Sequence, residues 1–539
     1  MTTRRFGASV SWHLFLFLAG GLFAEPFNCT RQIPAYDCNQ PATQIGFFAP
    51  PIVLEIEDYV TEAGMFRVLF KQPDGKEIRA LCQPSDLGKT PPGTSSQSTN
   101  TPSSPVASIQ PEPGQIPILT AAQQFQPDFW QLKPEDFLPT NSSSGFRWTS
   151  AAEQTEARSA HPLPFFGKSS IETLIRFKNG RLDEARFLLY GRGDVKKEID
   201  ESGFQELIKN LESTFDQWTG FKGVDAWIPG NVGNTKRKSW FKTPLRVDLE
   251  SSISRNVTEK EIGGDARKVR FRAEFLRVIL TPYDGKTDIA QLVKPNYQAP
   301  QPTSARSKDL KERIKREANG DVFLEGIPMV DQGQKGYCVC ATVERVMRYC
   351  GLTVDQNEMA KAANTLSGTS PDAMLKAVKK LGGQFGLVAR EIMGFEFGDF
   401  LKEIDVYNRT AKKNKQKEII LPSSGTIDLG AIYAAMDPQI TREVRLKKTG
   451  DRTKFIQNIK FLVDKGSPAL WSVQLGLVGE NPALPQVSGG HMRLIFGYND
   501  KSGEIIYSDS WGAGHEFKRL KYDDAFVMTK GLYSLQPGS

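Results

Sequence analysis

The first apolar run in the chain is short and sits behind a basic start. Arg4 and Arg5 precede Trp12-His13-Leu14-Phe15-Leu16-Phe17-Leu18-Ala19, and the run gives way to Gly20, Gly21 and Ala24. That order of charge, apolar stretch and small residues predicts a secretory signal peptide over residues 1–24, cut after Ala24. The run is too short to span a bilayer comfortably, and no later segment reaches about 18 apolar residues. The expectation is an exported chain, secreted or in the periplasm or cell envelope, with no integral membrane segment after cleavage.

Further on, the pattern changes period several times. In residues 25–83, Phe66-Arg67-Val68-Leu69-Phe70 alternates, Pro73-Asp74-Gly75 turns, and Ile78-Arg79-Ala80-Leu81 returns. This predicts a small β domain, compatible with an SH3-type barrel. Residues 84–118 are rich in Pro, Ser and Thr, a composition that buries no core and marks a linker. In residues 119–297, two alternating runs flank Asn179-Gly180, a hairpin signal. A helix over about 204–217 follows, with Leu207, Ile208, Leu211 and Phe215 on one face, and then a long strand from Val269 to Leu280. This is an α+β domain without a catalytic constellation, and its one histidine, His161, reads as a surface residue. Its place before the last domain suits a pro-region; a substrate-binding module or an envelope anchor are the alternatives.

Residues 298–320 read as a second linker. Its basic run, Lys308 to Arg316, is either a solvated helix leading into the next domain or a processing site. From 321 to 539 helix signals come first, at 341–349, 353–363 and 371–381, and again near 396–405, 427–435 and 454–464. Strand signals come later, at 469–473, 491–497 and 504–507. Helices followed by strands predict an α+β fold in two parts.

Composition narrows the function classes. The 539 residues carry 69 basic and 62 acidic side chains, a net charge of +7. No stretch pairs dense Lys/Arg with aromatics, so nucleic acid is not an expected partner. No His-x-x-x-His or Cys-x-x-Cys motif occurs, so no metal or other cofactor is expected. Six cysteines, at 29, 38, 82, 338, 340 and 350, are too few for a disulfide scaffold.

The chemistry concentrates in three segments. Asp331-Gln332-Gly333-Gln334-Lys335-Gly336-Tyr337-Cys338 delivers Cys338 to the start of a predicted helix. A helix N-terminus carries partial positive charge and free N–H groups, which favour a thiolate. The Cys338 N–H and the Gln332 amide are candidate oxyanion donors. His491 opens an apolar strand after Gly489 and Gly490, which let a substrate backbone pass close to the imidazole. Asp509, in Asp509-Ser510-Trp511-Gly512, ends the next strand, where a hairpin would set it beside His491 with Trp511 as a shield. Cys340, two residues into the helix, reads as a buried structural thiol, and Asp331 as a turn former.

This set resembles the papain-like cysteine peptidases. Gln332 to Cys338 repeats the six-residue spacing of that family's glutamine and nucleophile, and Ser510-Trp511-Gly512 repeats its Ser-Trp-Gly run. The family usually places asparagine before that run. Aspartate there is the habit of the related branch that processes bacteriocin leaders. The resemblance spans about residues 325–535, with 393–465 as an insertion. It implies a helical lobe followed by an antiparallel β lobe, and a protein or peptide substrate cut through a thioester. Catalytic Cys338, His491, Asp509 and Gln332 follow from it, with Gly489, Gly490 and Trp511 at the substrate. Transglutaminase-like or amidase acyl transfer at the same Cys-His-Asp site is one alternative. A catalytically inactive secreted binding protein is another.

Overall fold

In the computed structural model, the described residues are six strands within 25–82, Leu87, and most of 127–538, the longest gap in the latter being 294–306. The predicted signal peptide, nearly all of the 84–118 linker, Cys38 and the first part of the 298–320 linker lie outside them.

The N-terminal unit is a six-stranded antiparallel sheet in the order β1 (Glu25–Cys29), β4 (Ile52–Val60), β5, β6, β2 (Ile33–Tyr36) and β3 (Gln44–Phe48). The hairpin expected around Pro73-Asp74-Gly75 is formed by β5 (Met65–Lys71) and β6 (Glu77–Cys82). Leu54, Ile56, Val68, Ala80, Cys82 and Leu87 form its core.

The second unit contains a two-stranded sheet, β9 (Leu163–Phe165) with β10 (Lys168–Ser170), and two larger ones. The first of these is eight-stranded and antiparallel, in the order β13 (Val224–Ala226), β14, β15, β16, β12, β11, β8 (Glu156–Ser159) and β7 (Arg147–Trp148). Its centre is the predicted hairpin of β11 (Glu172–Lys178) and β12 (Arg181–Gly191), turned at Asn179-Gly180. The long strand β16 (Ala266–Pro282) pairs with β12 and β15 (Leu245–Lys260). Helix α1 (Glu201–Thr219) is capped by Asp200, whose side chain accepts from the Gly203 N–H. It buries Phe204, Leu211 and Phe215 in the core, the last beside Trp240 of β14 (Lys236–Lys242). His161 is exposed, as expected.

The last sheet runs β17-β18-β21-β20-β24-β19, with β22 on β21 and β23 on β22. Helix α2 (Cys338–Tyr349) packs on β21 (Gly489–Asn499). The fold is α+β, helices leading into an antiparallel sheet, as expected. One boundary moves: Ile314–Arg316, read as linker, is strand β17, paired with β18 (Asp321–Leu324). The basic run misled because Lys315 and Arg316 sit on an edge strand, where charge is tolerated. Between β19 (Leu387–Met393) and β20 (Ala469–Leu475), four helices fill the insertion: Phe397–Lys413, Leu429–Ala435, Pro438–Leu446 and Thr449–Asp464. Phe400, Ile404, Tyr407, Tyr433 and Ile440 form a separate core there.

Candidate active site

Cys338 is the first residue of α2. A stripe at 338, 342 and 345 occupies the i, i+4, i+7 positions of one face of that helix. Each member of the stripe ties the helix to the β lobe. The Thr342 hydroxyl donates to Cys338 O at 2.7 Å and reaches Met492 O at 3.3 Å. Arg345, buried, donates to Asp509 O at 3.0 Å, to Ser508 Oγ at 2.5 Å and to Pro328 O at 2.9 Å. The helix is thereby fastened to the segments that carry His491 and Asp509.

The predicted hairpin is present: β21 pairs antiparallel with β22 (Glu504–Ser508), Leu494 opposite Ser508. It sets His491 Nε2 3.2 Å from Asp509 Oδ1, both side chains fully buried. The contact is off the line of an ideal hydrogen bond, as is common before substrate binds. With Nε2 turned to Asp509, Nδ1 is the nitrogen left for the thiol. Trp511 lies flat on the imidazole, centroids 4.1 Å apart and planes 8° from parallel. It is therefore a shield for the ring, with His515 edge-on to its indole at 5.5 Å. Gly490 is exposed, and a Cβ there would meet nothing within 4 Å, so the approach beside His491 is open. Gly489 precedes it as a half-buried residue opposite Leu475.

Gln332 is held at both ends of its amide. The Ser510 hydroxyl donates to Oε1 at 2.6 Å, and Nε2 donates to Lys335 O at 3.1 Å. A donor on Oε1 fixes which end of the amide is which. One Nε2 hydrogen is spent on Lys335, which leaves the second as the candidate oxyanion donor. Removal of that orientation in Ser510→Ala is expected to lower kcat by about 10- to 100-fold with KM nearly unchanged. Steady-state kinetics on a peptide substrate checks this; an unchanged kcat would remove Gln332 from the oxyanion site.

The electrostatics of the three groups are coupled. Burial pushes the Cys338 thiol up, but the His491 imidazole and the Met492 and Val339 backbone N–H groups outweigh it, and the thiol lies below its ordinary value. Burial pulls His491 down, while Asp509 and the Cys338 sulfur raise it above the usual histidine value. Asp509 sits well below the ordinary carboxyl despite burial, chiefly through Arg493 and then His491 and His515. Cys338 alone among Cys338, His491, Asp509 and Gln332 keeps partial exposure. The arrangement can hold a thiolate–imidazolium pair and present the sulfur to a carbonyl. Among the described residues, no cluster of metal-ligating side chains occurs.

Residues 324–533 match the model of the Peptidase_C39 like family. That region is similar to the cysteine peptidases of this family. Two solved structures also match part of the chain. The peptidase domain of Streptococcus ComA, a bi-functional ABC transporter of a quorum sensing pathway, is 13% identical; the match covers 39% of this chain and 99% of that one, with a TM-score of 0.20. Xylellain, a cysteine protease from Xylella fastidiosa, is 15% identical over 43% of this chain and 90% of that one, with a TM-score of 0.23. No curated protein matches the chain.

Within this region, sequence reasoning missed the residues that hold Asp509. Arg493 Nε donates to Oδ1 at 2.7 Å and Lys518 Nζ to Oδ2 at 3.0 Å. Both cations lie over the Tyr507 ring, at 4.9 and 5.4 Å. Arg493 had a visible signal: it follows His491 by two in an otherwise apolar strand, hence on the same face. Lys518 had none, since β23 (Lys518–Lys521) is basic at three of its four positions. Cys340 is fully buried, in keeping with a structural thiol. Asp331 does form a turn, its Oδ1 accepting from the Gly333 N–H at 2.8 Å.

Proposed function

We propose that this chain is an exported thiol peptidase that hydrolyses peptide bonds through a thioester on Cys338. The Cys338 sulfur attacks the scissile carbonyl carbon, and the carbonyl oxygen takes the negative charge toward Gln332 Nε2 and the Cys338 N–H. The C–N bond breaks as the His491 imidazolium gives its proton to the leaving amine. Water then attacks the thioester, with His491 taking its proton. The acid leaves and the sulfur returns. Asp509 keeps the ring turned and favours its charged form.

The observation that carries this reading is the seating of a partly exposed thiol at a helix N-terminus beside a buried imidazole that a buried carboxylate backs. Export rests on the basic and apolar start of the sequence. Among the described residues, no helix is long and apolar enough to cross a membrane. The test is digestion of a peptide library under reducing conditions in heavy-oxygen water. New C-termini carrying the heavy label support hydrolysis. Amine incorporation in place of label would point to acyl transfer instead, and no product at all to an inactive scaffold.

A bell-shaped pH profile is expected for kcat/KM. The acid limb follows ionisation of Cys338, displaced downward; the alkaline limb follows loss of the His491 proton, displaced upward. In Asp509→Asn the alkaline limb should move down, because one of the groups that raises His491 is gone. A profile in which that limb stays put would separate Asp509 from the imidazole.

A further inference from the structure

The strands of residues 147–282 grip the loop that carries the oxyanion donor. Lys335, 1% exposed, places Nζ 3.1 Å from Asp194 Oδ2 and 3.3 Å from Glu172 Oε2. Arg158 bridges Glu172 at 2.6 Å to Asp331 at 3.4 Å. Burial works against these charges, yet Arg158 and Lys335 bring Glu172 down to about 2, so the carboxylate stays ionised. The fit is steric as well. A Cβ on Gly193 would lie 2.5 Å from the Tyr337 ring, and one on Gly333 2.2 Å from Arg158 Nη2. The far flank of α2 is held too: Asp355, which caps the helix Gln356–Ala362, accepts from Arg186 at 2.9 Å and also from Arg277.

The Lys335 backbone closes the chain of contacts. Its carbonyl accepts from the Tyr337 N–H at 2.7 Å and from Gln332 Nε2 at 3.1 Å. One residue thus has its side chain anchored in the middle sheet and its carbonyl on the candidate oxyanion donor. From this we infer that the middle α+β part is a permanent component of the peptidase, in which Glu172 and Asp194 are positioning residues for Gln332, and not a pro-region to be discarded. A detachable inhibitor has no need to hold an oxyanion loop in place by buried ion pairs. Removing this one would leave Lys335 and Asp331 as unpaired charges beside the nucleophile.

This inference rests on the peptidase reading above, so the test carries two readouts in the full chain. Asp194→Asn and Glu172→Gln are assayed for peptide turnover and for alkylation of Cys338 by iodoacetamide, which needs the thiolate but no oxyanion site. The expected result is a kcat about 10- to 100-fold lower at near-constant KM, with alkylation unchanged and Asp194→Glu largely restoring turnover. Unchanged kcat, or alkylation falling in parallel with turnover, would overturn it. Wild-type chain that turns over no peptide would instead defeat the peptidase reading itself. A second arm covers variants that do not fold: a specific protease site placed at about residue 300 is cut in the purified protein. The two pieces should co-elute and stay active. Separation of the pieces with activity kept or raised would restore the pro-region.

Discussion

Cys338→Ala protein is expected to fold normally and to turn over no peptide. The nucleophile of a triad acts as a unit with its base, so its loss should cost at least about 10⁴-fold in kcat. The stability change should be small, within about 1 kcal/mol, because the side chain removed is small and partly exposed. The neighbouring thiol cannot take over. Cys340 is two residues further round the helix, about 200° away, and fully buried. Equal melting temperatures with turnover lost is the expected pair of results. Activity retained in the well-folded variant would remove Cys338 from the chemistry.

Asp509 should be the residue whose removal damages both stability and turnover. Asp509→Ala leaves Arg493 and Lys518 as buried charges with their shared acceptor gone. Breaking a buried ion pair by deleting one partner typically costs about 3–5 kcal/mol. Asp509→Asn keeps the shape and one acceptor oxygen. Its stability loss should be smaller, and its kcat lower by about 10²- to 10⁴-fold through loss of imidazole orientation. The pH dependence has a definite sign. Asp509 is held well below its unfolded value, so its contribution is present above the ordinary carboxyl range and is lost only as pH falls through the folded value. Across neutral pH the gap in urea midpoint between wild type and Asp509→Ala should therefore stay wide. Equal midpoints at pH 7 would mean that the two cations find other acceptors.

The site was more legible in the sequence than the fold around it, for a physical reason. Catalytic chemistry needs particular side chains at particular spacings, and Gln332, Cys338, His491 and Asp509 are recognisable one by one. Their supporting residues are ordinary by type. Arg345 reads as a helix former, Lys518 as surface charge, and only the tertiary structure makes each a tether. The same holds for Lys335. In the sequence it is a polar loop residue among glycines; in the fold its ammonium lies between the carboxylates of Glu172 and Asp194, some 140 to 160 residues earlier. Strands were lost where their pattern is interrupted. In β24 (Thr529–Pro537), Gly531 and Pro537 break the alternation, and the strand is specified by its neighbours β20 and β19. The helix Glu201–Thr219 was legible because its apolar face recurs at 3.6-residue spacing over five turns.

The central claim is that an activated sulfur at position 338 is the point of attack. The most direct measurement is to treat the reduced full chain with an epoxysuccinyl peptide, which alkylates papain-like nucleophiles, and to map the adduct by mass spectrometry. The account predicts one modified residue, Cys338, with labelling lost in His491→Ala and slowed in acid. Labelling at Cys340 or Cys350, or none on a folded chain, would contradict it.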